Sequence, residues 1–461
     1  MKERGDCTSG VCPGASAHGD MVSIYVPRHH PLLQLKRALP WDALAAVMER
    51  HWRQAGKNTD RRPGLPWDVA LYVSLVVLML VKHLNAREME AYVAENVVAR
   101  VFLGRQDDPR PQIRDHSNIA RAYTALGQDG IEEVNALILH VAHNHGFADV
   151  SLLSSDTTAQ ELPIGYPNEP GILRGWAQRC GRALTKLKTR AVVGVDAALT
   201  QVQTILRTVK EHHLFAKSKQ AKRQVLTRLL TEVGQWIVQT RLLVQGLGAR
   251  RDRVTQHALT TLTTMHEVAK GLIPQIVQWI TTGVVAKGKI LHAGVTQARA
   301  LVRHKGGKEV EFGLPYLLSR LGGGDLFVTM ISNGVDESKM PLQALAGYRA
   351  IFGAHATPTL VVYDRAGYAR ATLNALAREG VKQIGIQPKG RGAWHVAEAV
   401  RETVRSERGK TEGIIGTLKT DTYGFNKPKE RLWQTLEMAG PRSVLSYNLN
   451  KFMRDLVRAD K

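Results

Sequence analysis

Apolar residues in the first third of the chain recur at three- and four-residue steps, the period of a helix that turns one face to a core. These steps predict helices over residues 42–52, 67–82, 87–103, 117–126 and 131–143. Together they make an all-helical domain, 36–148, preceded by an arm, 1–35, in which no period shows. Beyond it the alternation shortens to two: residues 150–158, 309–316 and 326–332 read as strands, the last two divided by Gly322, Gly323 and Gly324. Strands over 359–363 and 381–387 alternate with helices over 341–352 and 368–378, and from about 396 the pattern is helical again. That succession describes an α/β fold with a mixed sheet, assigned to 149–190 and 306–461. Between its first and second strands, 191–305 repeats the helical step at Val195, Leu199, Val202 and Leu206, at Leu226, Leu230 and Val233, and from Leu259 to Ile280, with a kink expected at Pro274. A long helical insertion therefore splits the sheet.

Charge changes the picture. Across 461 residues, 63 Lys and Arg oppose 41 Asp and Glu, a net charge of +22, which points to a polyanionic partner. Within 171–308 there are 24 Lys and Arg against five acids, so most of the excess sits on the insertion. Solvated helix faces mix their signs, whereas a single-sign face attracts phosphate backbones. Lys217, Lys219, Lys222 and Arg223, and Arg250, Arg251 and Arg253, form clusters suited to DNA phosphates, though phosphate contacts carry no sequence information. The same apolar spacing would also let helices pair between subunits. The longest apolar run, 69–81, falls short of the roughly 20 residues a membrane span needs, so no membrane partner is expected. Only Cys7, Cys12 and Cys180 occur, and the N-terminus has no signal-peptide core, which fits a reducing, cytoplasmic setting.

Three carboxylates carry the candidate chemistry. Asp156 interrupts an apolar strand, where an ionised group needs either a metal ion or local amides to compensate it. Asp364 ends the strand 359–363, at the carboxyl end where open α/β sheets place ligands and where an Asp also caps a helix. Glu412 follows Arg408 by four residues and precedes Lys419 by seven, which sets all three along one helix face. Read singly, Glu412 is also an ordinary intrahelical ion pair. Read in order, they would hold two Mg²⁺ ions, with Mn²⁺ as a substitute, for in-line phosphoryl displacement by a water or a 3′-hydroxyl. His140, His143 and His145 lack a clear fourth ligand and are set aside, and of the tryptophans only Trp433 is a candidate for stacking on bases.

In these blocks the chain resembles the DDE-type insertion-sequence transposases. SSDTTAQELPIGYPNEPGIL, from Ser154, is similar to the family's first acidic strand and its Tyr-Pro loop, and VVYDRAGY is similar to its second acidic block. Arg408, Glu412 and Lys419 keep the spacing of its Tyr-Arg-Glu-Lys signature, with Arg405 standing where the signature has Tyr. The resemblance implies an RNase H-like catalytic core with Asp156, Asp364 and Glu412 as metal-binding catalytic acids and Arg408 and Lys419 on DNA. It also implies Mg²⁺-dependent cleavage and strand transfer, with double-stranded DNA bearing terminal inverted repeats and a target DNA as partners. A homodimer in the synaptic complex and a nucleoid-associated location follow from the same likeness. SNIARAY, from Ser117, is similar to the domain that precedes this core. Two other functions remain open: an inactive or repurposed DNA-binding protein, and a branched-DNA nuclease.

Overall fold

The computed structural model describes residues 25–57, 68–107, 115–247, 252–305, 308–332, 335–390, 392–394, 396–430 and 432–460. Six helices open it: α1 (Pro31–Ala38), α2 (Trp41–Gln54), α3 (Val69–Lys82), α4 (Ala86–Glu95), α5 (Val97–Leu103) and α6 (His116–Asn144). Local chemistry sets their ends. Asp68 accepts from Leu71 N, Asn85 and Glu88 form a reciprocal capping box, and Asn96 caps α5. Asn96 also divides into two the helix that periodicity gave as one over 87–103. Gly127, at φ 66° and ψ −176°, breaks α6 between the stretches that periodicity gave separately. The chain is already helical at Pro31, inside the arm expected to reach residue 35, with Leu32 and Leu35 buried; residues 1–24 lie outside the described residues.

The central strand β1 (Asp149–Glu161) leads into α7 (Glu169–Lys188), α8 (Val195–Leu214), α9 (Lys219–Gly246) and α10 (Arg253–Thr282). These four helices share a separate core, in which Trp176 and Trp236 meet edge to face at 4.9 Å. Their indole N–H groups are satisfied by Met265 O at 2.8 Å and Ala198 O at 3.2 Å. α10 continues through Pro274 as one helix. The expected insertion boundary of 191–305 shifts at both ends. Ile172, Leu173 and Trp176 place α7 in the bundle rather than with the sheet. At the other end the sheet gains a strand that alternation did not reveal, β2 (Arg299–Lys305).

The sheet continues with β3 (Lys308–Gly322), β4 (Leu326–Met330), α11 (Met340–Phe352), β5 (Leu360–Tyr363), α12 (Arg370–Arg378) and β6 (Gln383–Ile386). Its order is β2-β3-β1-β5-β6, with β4 paired to β3. β1 runs antiparallel to β3 and parallel to β5, and β5 parallel to β6, so the sheet is mixed. The chain closes with α13 (Glu398–Leu418), α14 (Trp433–Leu436) and α15 (Ala439–Ala459).

One apolar core runs from Leu44, Met48 and Leu78 of the opening helices through Leu153, Leu317 and Val361 of the sheet to Leu445 and Phe452 of α15. The opening helices and the sheet thus share one apolar core across the boundary expected at 148. Polar bonds reinforce the joint. Ser446 Oγ donates to Leu80 O at 2.6 Å, and Asn450 Nδ2 to Val81 O at 3.1 Å. Asn448 accepts from Leu326 N at 3.0 Å and donates to Leu326 O at 2.7 Å and Asn135 Oδ1 at 2.8 Å. No single described helix is long and apolar enough to cross a membrane; α3 and α4 would qualify only as a pair bent by 98°.

Asn448 is fully buried, so truncating it strands the backbone N–H of Leu326 and the side-chain oxygen of Asn135. Asn448→Ala is expected to lower stability by about 2 to 4 kcal/mol, read as a shifted urea midpoint at unchanged slope.

Candidate active site and basic surface

Strand period and register bring two of the three acids together. Leu152 packs with Leu360, Val362 and Val404 on the α13 side of the sheet, and Ser154 bonds Thr411 of α13 on that same side. Two residues on, Asp156 shares that face. The parallel pairing runs Leu152↔Leu360 to Ser154↔Val362, so one more step of two places Asp156 alongside Asp364. Both carboxylates are partly exposed. Asp156 Oδ1 accepts from Thr157 N at 2.7 Å, yet the strand continues to Glu161, so Asp156 lies within a strand rather than ending one. Asp364 Oδ1 accepts from Ala366 N at 2.9 Å and caps the single 3-10 turn Arg365–Gly367. A cap of this kind uses one carboxylate oxygen.

Tyr363 reports the convergence from the other face. It is 1% exposed. Burial pushes its hydroxyl well above the usual phenol range, and the carboxylates of Glu337, Asp364 and Asp156 add to the shift. Glu337 was missed in the sequence. It sits on the 3-10 turn Glu337–Lys339 and accepts from Thr157 Oγ1 at 3.2 Å. An acid in a short irregular turn offers no periodicity by which to find it.

α13 crosses the same sheet face, and its contacts fix its rotation. Val404 packs over Gly385 of β6, Thr411 Oγ1 lies 2.8 Å from Ser154 Oγ of β1, and Ile414 lies beside Gly324 at the β3–β4 turn. Between them Glu407 forms a buried ion pair with Arg320 of β3 and a second bond with Lys410 at 2.6 Å. Burial pushes the Glu407 carboxyl up, but Lys410 and Arg320 outweigh it and hold it below its ordinary value. Glu407 is therefore committed to the fold. At about 100° per residue, Arg408, Glu412 and Lys419 share one side of α13, turned about 100° to 160° away from Glu407 and Ile414, and Glu412 is exposed there. Arg408 Nη2 lies 4.0 Å from Glu412 Oε1, an exposed contact, and Lys419 caps the helix C-terminus. Arg405 pairs with Glu398 at 3.5 Å.

The bundle carries the cations. Lys217, Lys219, Lys222 and Arg223 are all exposed around the start of α9, and Arg253 is exposed at the start of α10. Arg250 and Arg251 lie outside the described residues. Every described acid of the bundle has a basic partner: Glu169 with Lys289, Asp196 with Lys188, Glu211 and Glu232 with Arg228, Asp252 with Arg190, and Glu267 with Lys270. What these pairs leave over is positive.

Other signals resolve into structure. His140 bonds Ile351 O at 2.8 Å, His143 bonds Ala148 O at 3.0 Å, and His145 stacks on Phe147. Trp433 is partly buried against the core beside α14 and α15. Glu90, Asp115 and His116 bring ligand atoms within 4.8 Å of one another, but Glu90 Oε2 already accepts from both His116 N and Nδ1 at 3.2 Å.

The two glutamates of α13 should separate in a stability measurement. Glu407→Ala leaves Arg320 buried and unpaired and is expected to cost about 3 to 5 kcal/mol, whereas exposed Glu412→Gln should stay within about 0.5 kcal/mol. Because the Glu407 carboxyl is depressed in the folded chain, its contribution is present above the unfolded value and lost as pH falls through the folded one. The wild type should therefore lose denaturant resistance more steeply on acidification than the Glu407 variant.

Residues 21–125 match the family model described as Transposase domain (DUF772). No curated protein and no solved structure matches the chain. The matched region spans α1 to α5 and the first turns of α6, the helices fused through α15 to the sheet that carries the acids, and it supports a transposase family for this chain.

Proposed function

We propose that this chain is a DDE transposase with an RNase H-like core, which cleaves DNA at the terminal inverted repeats of an insertion sequence and joins the freed ends to target DNA. The observation that carries the reading is the in-register β1–β5 pair leading to Asp156 and Asp364, with α13, the helix of Glu412, packed across the same sheet face. The transposase-domain match supports it independently.

The donor set suits a hard divalent cation: carboxylate oxygens, partly or fully exposed, with no sulfur among them. Asp156, Asp364 and Glu412 would hold two Mg²⁺ ions, or Mn²⁺ in their place, and bound there the ions supply charge stabilisation for attack of a water or a 3′-hydroxyl on phosphorus. The chain's own part is positioning. Arg408 and Lys419, on the Glu412 face of α13, would grip phosphates flanking the scissile bond. Gly409, Gly413 and Gly416 leave the outer surface of α13 without side chains, room for a DNA backbone to approach. The exposed lysines and arginines of the bundle would bind the duplex through counterion release and steer it to the acids. Synapsis of two ends calls for a homodimer, with the nucleoid as the place of action.

The experiment is end cleavage and strand transfer on labelled terminal DNA. Asp364→Asn and Glu412→Gln should bind that DNA as the wild type does and lose metal-dependent cleavage; retained cleavage in both refutes the assignment. Binding without any nicking by the wild type favours the inactive DNA-binding reading, and cleavage confined to branched substrates favours the nuclease. Replacing Lys217, Lys219, Lys222 and Arg223 by Ala should weaken binding evenly across sequences and flatten the dependence of log K on log salt by up to about 0.9 per lost phosphate contact.

A further inference from the structure

Among the described residues β4 pairs only with β3, through Phe327↔Ser319 and Thr329↔Leu317, and the ladder is framed by Leu321 N to Asp325 O and Ile331 N to Pro315 O. In an antiparallel pair the intervening residues turn their N–H and C=O away from the partner. Leu326 shows this: its outward groups are taken by Asn448 and Asn135. Val328 and Met330 come next, and their outward backbone groups meet no partner among the described residues. They face a groove of about 560 Å³ between α6 and α11, walled by Phe327, Ile351 and Val444.

The rim is acidic in a chain of net charge +22. Asp129, Glu132 and Glu133 line it from α6, and Glu437 lies within electrostatic reach of Asp129. Among the described residues only Glu133 of these has basic partners, Arg50 and His51 of α2. Burial pushes the Glu132 and Glu437 carboxyls up, and Asp129 adds to both, so a cation entering the rim would relieve repulsion already present. A buried polar atom points the same way: Gln343 Oε1, in the groove wall, has no partner among the described residues.

We propose that this groove docks an extended peptide segment carrying Lys or Arg, which adds to the open edge of β4 as a strand and sets its cations against Asp129 and Glu132. An acidic rim repels nucleic acid, so the occupant is a protein segment, and backbone pairing at Val328 and Met330 would hold it. The inference does not depend on the catalytic reading.

The probe is a fluorescein-labelled octapeptide of alternating Lys and Val, followed by anisotropy at physiological salt. It should bind the full chain. Binding should fall at least tenfold when alternate peptide amides are N-methylated, when Glu replaces Lys in the peptide, and in the Asp129→Asn, Glu132→Gln double variant. Ala346→Trp, which fills the groove from an exposed position of α11, should do the same while circular dichroism stays unchanged. No binding, equal binding of the acidic peptide, or indifference to both variants overturns the proposal. Light scattering supplies the remaining outcome: a dimer that the peptide dissociates assigns the groove to a second copy of this chain and overturns a separate partner.

Discussion

An arginine and a glutamate sealed between sheet and helix, Arg320 and Glu407, set the geometry on which the rest depends. Two charges out of water cost several kcal/mol each unless they meet with good geometry, so the pair tolerates little sliding or rotation of α13. Rotation is what matters for chemistry. A helix turned by one residue moves each side chain through about 100°, which would carry Arg408, Glu412 and Lys419 onto another face. The Arg408–Glu412 contact, at 4.0 Å and in solvent, could not impose such a constraint. A charge pair that touches no substrate therefore decides where the candidate acid points, with the Ser154–Thr411 hydrogen bond as a second pin.

The same logic joins the opening helices to the sheet. Leu326 begins an edge strand whose outward N–H and C=O would be orphaned beside α6 and α15 without side-chain partners. Asn448 and Asn135 satisfy them and each other, while Lys451 of α15 reaches buried Asp325 at 2.9 Å in the turn before β4. A helical region tied by buried amides and a buried ion pair cannot swing on a linker. If the matched helices contact DNA, they do so at a fixed angle to Asp156 and Asp364, and that angle is a property of the folded chain.

Periodicity revealed what periodicity can reveal. The helices of the first third, the strand 150–158 and the strand before Asp364 follow from apolar spacing, because one buried face leaves its period in the sequence. Core membership does not. Ile172, Leu173 and Trp176 give α7 an apolar face without saying whether it meets sheet or bundle, and only the packing against α8 and α10 decides. β2 was missed because RALVRHK sets charges into its alternation. The candidate acids Asp156, Asp364 and Glu412 were singled out by their neighbours and by the family these blocks resemble. Glu337 was not, since its place near Tyr363 comes from a fold-dependent meeting of a short turn with two strand ends.

Charge segregation follows from where the acids are spent. In the bundle each described acid is held by a lysine or arginine, so none of these is left to mask the cations around the start of α9. On α6 the reverse holds: Asp129 and Glu132 stand on a groove wall where, among the described residues, only Glu133 has basic partners. Fields of opposite sign on one molecule sort partners before any contact forms, since each attracts what the other repels over roughly a Debye length. A chain with one uniform positive field would draw nucleic acid over its whole surface. Confining the excess to the bundle, and keeping acid beside the edge of β4, would let a polyanion and the proposed basic segment be held at once without competing for the same ground.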